Sequence, residues 1–304
     1  MNEEKKGILN AVGAYVIWGI FPLYWKMLEH VNSMEVLLGR VIWSFVFTTI
    51  FIVLIGQRKN LIADLKFLWS NKLQFWSLAG ASVVITMNWY VYIWAVMNNH
   101  VLQSSLGYYI NPLISVLFGM MFFKEKLSRA TIVSVCIAAF GVAVLTFSSG
   151  SIPWVALLLA LSFAVYGVLK KKIQLDATRG LAIETLFILP FALSYYMYIL
   201  TKGNMSFLHV STKTDMLLIV SGIVTAIPLV LFAKGAQRIP LYLMGFIQYL
   251  SPTIVLFLGI LLYKEPFTQV EFIAFSFIWM ALVIFSVSKV VETRRRHHIA
   301  SVQH

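Results

Sequence analysis

Charge is scarce in this chain: only 12% of its 304 residues are Asp, Glu, Lys or Arg, while 60% are hydrophobic. Soluble domains carry about a quarter charged residues, so a soluble fold is excluded. Cysteine is nearly absent. Cys136 is the sole thiol, which rules out an intrachain disulfide. Acidic residues number 12 against 24 Lys and Arg, and Asp64, Asp176 and Asp215 are dispersed rather than clustered. That dispersal argues against a metal- or phosphate-handling enzyme within the membrane. No histidine falls at a membrane midplane, and no metal or cofactor is expected. The Gly-x-x-x-x-Gly-Lys-Ser/Thr phosphate loop is missing too, so the chain has no ATPase of its own by that signature.

What the chain does have is long apolar runs. About 20 apolar residues cross a bilayer. Ten stretches are read as spans: Gly7 to Lys26, Ser33 to Gly56, Lys72 to Val96, Val101 to Phe123, Leu127 to Phe147, Ile152 to Leu169, Thr178 to Leu200, Thr214 to Ala233, Leu241 to Tyr263 and Thr268 to Lys289. The reading is an all-α polytopic membrane protein with both termini on one side. Lys and Arg crowd that side, among them Lys5, Lys6, Arg58, Lys59, Lys124, Lys126, Lys170, Lys171, Lys172 and Arg294 to Arg296. The opposite side has Lys202, Lys213, Lys264 and, at a helix end, Lys26. Cytoplasmic loops carry the Lys/Arg excess, so both termini are expected in the cytoplasm. The net charge of +12 follows from this asymmetry and needs no nucleic acid. The tail around Arg294 reads as a topology determinant, with contact to anionic lipid as the other reading. The first span is too long for a cleaved signal and is read as retained.

The chain also contains a copy of itself. Tyr109, Pro112, Ile114, Gly119, Lys124 and Glu125 recur without a gap as Tyr249, Pro252, Ile254, Gly259, Lys264 and Glu265, an offset of 252 − 112 = 140. Each copy ends a fourth or ninth span, so the unit is five helices. An odd number inverts the second unit relative to the first. Residues 1–150 and 151–289 are therefore read as two inverted repeats, followed by a basic tail, 290–304. Repeats of this kind, with proline inside matched helices, are a mark of secondary transporters that hold substrate between the halves. Two acids are explained locally. Glu35 and Glu271 stand at capping-box spacing after Asn32 and Thr268. The Lys-Glu pairs are read as helix-end anchors.

Proline frees the carbonyl four residues earlier, here those of Tyr108 and Gln248. These belong to matched polar stripes at i, i+4, i+7 and i+11: Ser104, Tyr108, Asn111, Ser115 and Met244, Gln248, Ser251, Val255. Such faces line a cavity or bond another helix. Arg40 and Glu184 are the clear intramembrane charges. At about 1.5 Å per residue each lies roughly 10 Å deep from opposite faces of a core about 30 Å thick. A direct pair between them needs tilted helices. Arg40 is a candidate for an anionic solute group, and Glu184 for a cationic group or a coupling proton; a gate or structural ion pair is the other reading. Trp18, Tyr92 and Tyr166, in spans beside Gly19, Asn88 and Gly167, are candidates for aromatic cavity walls.

Several ordered segments carry a resemblance. Ala14-Tyr15-Val16-Ile17-Trp18-Gly19-Ile20, Gly39-Arg40-Val41-Ile42-Trp43-Ser44-Phe45, Asn88-Trp89, Ser105-Leu106-Gly107-Tyr108, Ile183-Glu184-Thr185 and Gly245-Phe246 leading to Gln248-Tyr249 resemble the drug/metabolite transporter superfamily, in particular EamA-type members of the RarD group. The resemblance spans nearly the whole chain. It implies ten helices in two EamA repeats and secondary transport of a small organic metabolite or amphipathic compound across a bacterial inner membrane. It also implies a central cavity between the bundles, here mapped onto Trp18, Arg40, Asn88, Tyr108, Glu184 and Gln248. Membrane lipid surrounds such a protein, while a coupling proton and a second copy of the chain stay open as partners. An intramembrane lipid-modifying enzyme, and a channel or sensor, are the competing classes.

Overall fold

The computed structural model describes residues 2–97, 101–148, 154–262, 264 and 267–302. Among them are twelve helices and no strand: α1 (Glu3–Lys26), α2 (Ser33–Leu54), α3 (Arg58–Ser70), α4 (Lys72–Met97), α5 (Val101–Phe123), α6 (Arg129–Ser148), α7 (Trp154–Lys172), α8 (Ala177–Thr201), α9 (Thr212–Ala236), α10 (Leu241–Gln248), α11 (Leu250–Leu261) and α12 (Gln269–Val302). Helix starts are set by short polar side chains that accept otherwise orphaned N–H groups. Asn2, Asn32, Asp176 and Ser211 do this for α1, α2, α8 and α9. At α12, Thr268 and Glu271 form the reciprocal capping box that their spacing predicts.

Nine helical stretches among the described residues are long and apolar enough to cross a membrane, with α10 and α11 counted as one. The remaining expected span, α4, is not among the nine. Its 26 residues would rise about 39 Å, and the side chains of Ile93, Val96 and Met97 near its end lie outside the described residues. A further helix, α3, occupies what the sequence presented as a cytoplasmic loop and packs on α4.

The two halves pack in equivalent ways. Exchanging α1 with α7, α2 with α8, α4 with α9, α5 with α10–α11 and α6 with α12 maps the principal contacts onto one another. Thus α1 against α9 matches α7 against α4, and α1 against α11 matches α7 against α5, while α2–α8, α5–α10 and α6–α12 map onto themselves. Small residues permit the close crossings. A Cβ on Gly141 would stand 2.6 Å from the Ala274 carbonyl, and one on Gly245 would stand 2.7 Å from that of Pro112. Gly222 lies directly on the Trp43–Ser44 backbone, where Ser44 donates a 2.9 Å hydrogen bond to its carbonyl.

The repeated motif has a structural role. Lys124 and Lys264 both adopt positive φ, 51° and 54°, ending α5 and the second copy in the same left-handed turn. From that turn Glu125 folds back over Gly119, where any side chain would collide with its carboxylate. The carboxylate accepts the N–H groups of Leu241 (2.7 Å) and Tyr242 (3.0 Å) at the start of α10, where the helix dipole favours an anion. Glu265, the side chain of Ser104 and the basic side chains around Arg294 lie outside the described residues. The matched prolines differ in outcome. Pro112 sits within a continuous α5, whereas the helix carrying Pro252 divides at Tyr249 into α10 and α11. There the Tyr249 N–H turns to the Phe246 carbonyl (3.3 Å), and its hydroxyl donates to the carbonyl of its repeat mate Tyr109 (3.3 Å).

Replacing Gly222 with Leu forces α9 off α2 and is expected to destabilise the protein by about 1–3 kcal/mol. Gly13→Ala, whose Cβ would meet only Leu231 at 3.4 Å, should be neutral or mildly stabilising. Thermal unfolding in detergent, followed by size-exclusion fluorescence, measures both.

Candidate functional site

Arg40 and Glu184 hold equivalent places. Arg40 lies eight residues after the cap Asn32 (40 − 32) and Glu184 eight after the cap Asp176 (184 − 176), on the repeat-related helices α2 and α8. Their surroundings differ. The Arg40 guanidinium lies 4.3 Å from the ring centroid of Trp89 and 5.4 Å from that of Trp25. Tyr92 and Tyr108, in edge contact with centroids 6.1 Å apart, stand within electrostatic reach of it. None of the ion pairs among the described residues includes Arg40, and its buried Nε lacks a hydrogen-bond partner. Four helices, α1, α2, α4 and α5, thus converge on one cation.

Glu184 is sealed instead. Its carboxylate accepts a 2.6 Å hydrogen bond from Lys170, and the two residues are 3% and 2% exposed. A buried ion pair is marginal in itself, but removing one partner strands a charge at a cost of about 3–5 kcal/mol. Ser82 donates to the Glu184 carbonyl at 2.9 Å, which ties α4 to α8. The direct Arg40–Glu184 pair weighed from the sequence is absent, because Lys170 from α7 takes the carboxylate.

The other candidates divide between the core and helix contacts. Trp18 and Tyr166 pack with Tyr15, Phe163 and Phe232 in an aromatic cluster, in which Tyr166 stacks on Phe232 at 5.6 Å. Gln248 accepts the Tyr15 hydroxyl at 3.4 Å beside that cluster. Asn88 donates to the Leu159 carbonyl (2.9 Å) and the Ser162 hydroxyl (2.8 Å), joining α4 to α7. Asn111 donates to the Ala160 carbonyl at 2.8 Å and joins α5 to α7. Ser251 is half-buried one turn beyond Gln248. Glu35 does not cap its own helix: Asn32 accepts the Met34 N–H, and the fully buried Glu35 carboxylate accepts those of Ser206 and Phe207 instead. It therefore fastens the α8–α9 connection to α2.

The Lys-rich end of the bundle is stitched shut by polar contacts between loops. Lys171 donates to the Ile239 carbonyl at 2.6 Å and stands 3.5 Å from Glu125. Gln74 spans α4 to Lys172 and Gln174, and Gln237 reaches the carbonyls of Ile173 and Leu175. Arg179 bridges Asp64 and Gln57. Among the described residues no group of three His, Cys, Asp or Glu side chains could hold a metal.

Three residues of these clusters were not among the site candidates that the sequence suggested. Trp25 lies seven residues after Trp18, Trp89 three before Tyr92, and Lys170 four after Tyr166. Those spacings place each on the face of a residue already singled out. Lys170 was masked by its position in a run of three lysines. Glu184→Gln alone should lose about 3–5 kcal/mol by stranding Lys170, whereas Glu184→Gln combined with Lys170→Met should recover most of it. A double-mutant cycle on unfolding in detergent measures this, and additive losses would contradict the pairing.

Known proteins place this arrangement. Residues 5–147 and 151–287 each match the EamA-like transporter family. The uncharacterised transporter YojE of Bacillus subtilis is 47% identical over 95% of this chain and 96% of its own. Protein RarD of Escherichia coli is 39% identical over 96% and 98%, and the chloramphenicol-sensitive protein RarD of Pseudomonas aeruginosa 28% identical over 93% and 94%. A solved crystal structure superposes with a TM-score of 0.71 at 15% identity over 93% of this chain and 97% of its own, a likeness of fold. The chain belongs to the EamA-like transporter family, as a RarD-like, multi-pass membrane transporter.

Proposed function

We propose that the protein is a secondary permease that moves a small organic solute across a bacterial inner membrane by alternating access, as efflux or exchange. In this reading α4 completes ten spans, residues 1–150 and 151–289 are oppositely oriented repeats, and both termini and the tail, 290–304, face the cytoplasm. One observation carries it. The repeat-equivalent charges Arg40 and Glu184 stand in opposite conditions, one without an ion-pair partner among the described residues and caged by aromatic rings, the other sealed by Lys170. Two similarly packed halves with ionisable residues at matched depth in the bundle fit a carrier that holds its solute between them. The stitched Lys-rich end supports a closed cytoplasmic side, with the Arg40 cage toward the outside.

Alternation then requires the Lys170–Glu184 pair and the contacts of Glu125 to open as the outer end closes. Glu184 becomes available to a coupling proton in the state that parts it from Lys170. In proteoliposomes, flux is expected to saturate and to show counterflow, and non-saturating conductance would indicate a pore. Under proton coupling, Glu184→Gln paired with Lys170→Met should flatten the dependence of flux on pH; an unchanged profile removes Glu184 as the carrier. Orientation is tested in a Cys136→Ala background. Ser70→Cys should react with an impermeant thiol reagent only from the cytoplasmic side and Asn204→Cys only from the outside.

A further inference from the structure

We propose that the cage around Arg40 is a binding site for a monoanionic organic acid with a flat apolar body, an aromatic carboxylate being the type ligand. This assignment deepens the permease reading and rests on it in treating the ligand as the transported solute. Arg40 brings one positive charge into the apolar interior with no carboxylate paired to it among the described residues. Its buried Nε is a hydrogen-bond donor without an acceptor, a condition that costs free energy until an acceptor arrives. A planar guanidinium offers paired N–H groups that match a carboxylate. The hydroxyls of Tyr92 and Tyr108 add two further donors at the same end.

The walls decide the rest of the ligand. Trp25 and Trp89 hold the guanidinium by their ring faces, while Tyr92 and Tyr108 stand in edge contact with each other within electrostatic reach of it. Four aromatic rings around one cation favour a flat apolar group over a strongly hydrated one. Among the described residues an ammonium group finds no counter-charge here. The repeat-equivalent carboxylate, Glu184, is consumed by Lys170, and Asn88, Asn111 and Gln248 are engaged in contacts between helices. Zwitterionic and cationic relatives of the same body should therefore bind poorly.

Three probes share one body and differ in charge: 3-phenylpropanoate, phenylalanine and phenethylamine. Equilibrium binding of radiolabelled 3-phenylpropanoate to the purified protein in detergent, with the other two as competitors, tests the site. The acid should bind saturably and the competitors at least about tenfold more weakly. Arg40→Gln should weaken the acid roughly 10- to 150-fold, the effect of losing a charge-assisted hydrogen bond, and abolish the preference among the three. Arg40→Lys should keep the preference with weaker binding, which preserves the test if the neutral variant does not fold. Absence of saturable binding by the wild type up to about 10 mM, equal binding of phenethylamine, or unchanged binding in Arg40→Gln overturns the proposal. Flux in proteoliposomes separates the two readings. Arg40-dependent binding without flux removes the permease alone, and saturable flux indifferent to Arg40 removes the site alone.

Discussion

A hydrocarbon medium supplies no hydrogen bond and no counter-charge, and this constraint shapes every level of the protein. Backbone groups must pair within their own segment, so the described chain is helical. Helix ends take their partners from within the protein: Asn32 at α2, and the carboxylate of Glu125 at α10. Charges carried into the interior face the same demand. Glu184 meets it with Lys170. Arg40 meets it only in part, through the faces of two indole rings.

The same constraint explains why small residues matter where the halves meet. Lipid tails compete with apolar side chains on nearly equal terms, so close backbone approach and helix-to-helix hydrogen bonds do more to hold the helices together than greasiness does. Gly222 on Trp43, Gly141 on Ala274 and Gly245 on Pro112 bring backbones together. Asn88, Asn111 and Ser44 add hydrogen bonds at neighbouring crossings. Two halves built alike thus form one bundle. Their contacts are nearly interchangeable, yet α2 lies against α9 more extensively than α8 lies against α4.

Much of the fold was legible in the residues. The apolar runs located the long helices, and the 140-residue echo separated two halves of like design. Even the turn shared by Lys124 and Lys264 was foreshadowed by identical residues at matched places. Partnerships were less legible, because they join segments far apart in the chain. Glu35 looked like a local cap, but its partners are Ser206 and Phe207. Lys170 looked like one of three interfacial lysines, but helical phase turns it toward Glu184 while Lys171 turns toward Ile239. The two matched prolines looked equivalent, yet only the second helix divides.

Sequence alone determined that this chain is a helical membrane protein with a duplicated plan, because bilayer thickness and internal identity are properties of a line of residues. It also determined that Arg40 and Glu184 would need explaining, since charge within an apolar run is visible without a structure. Tertiary structure decided how each was answered. Which side chain reaches a charge depends on helix phase, crossing angle and the neighbour that packing supplies. So the acid acquired a lysine, and the arginine acquired Trp25, Trp89, Tyr92 and Tyr108 from three other helices.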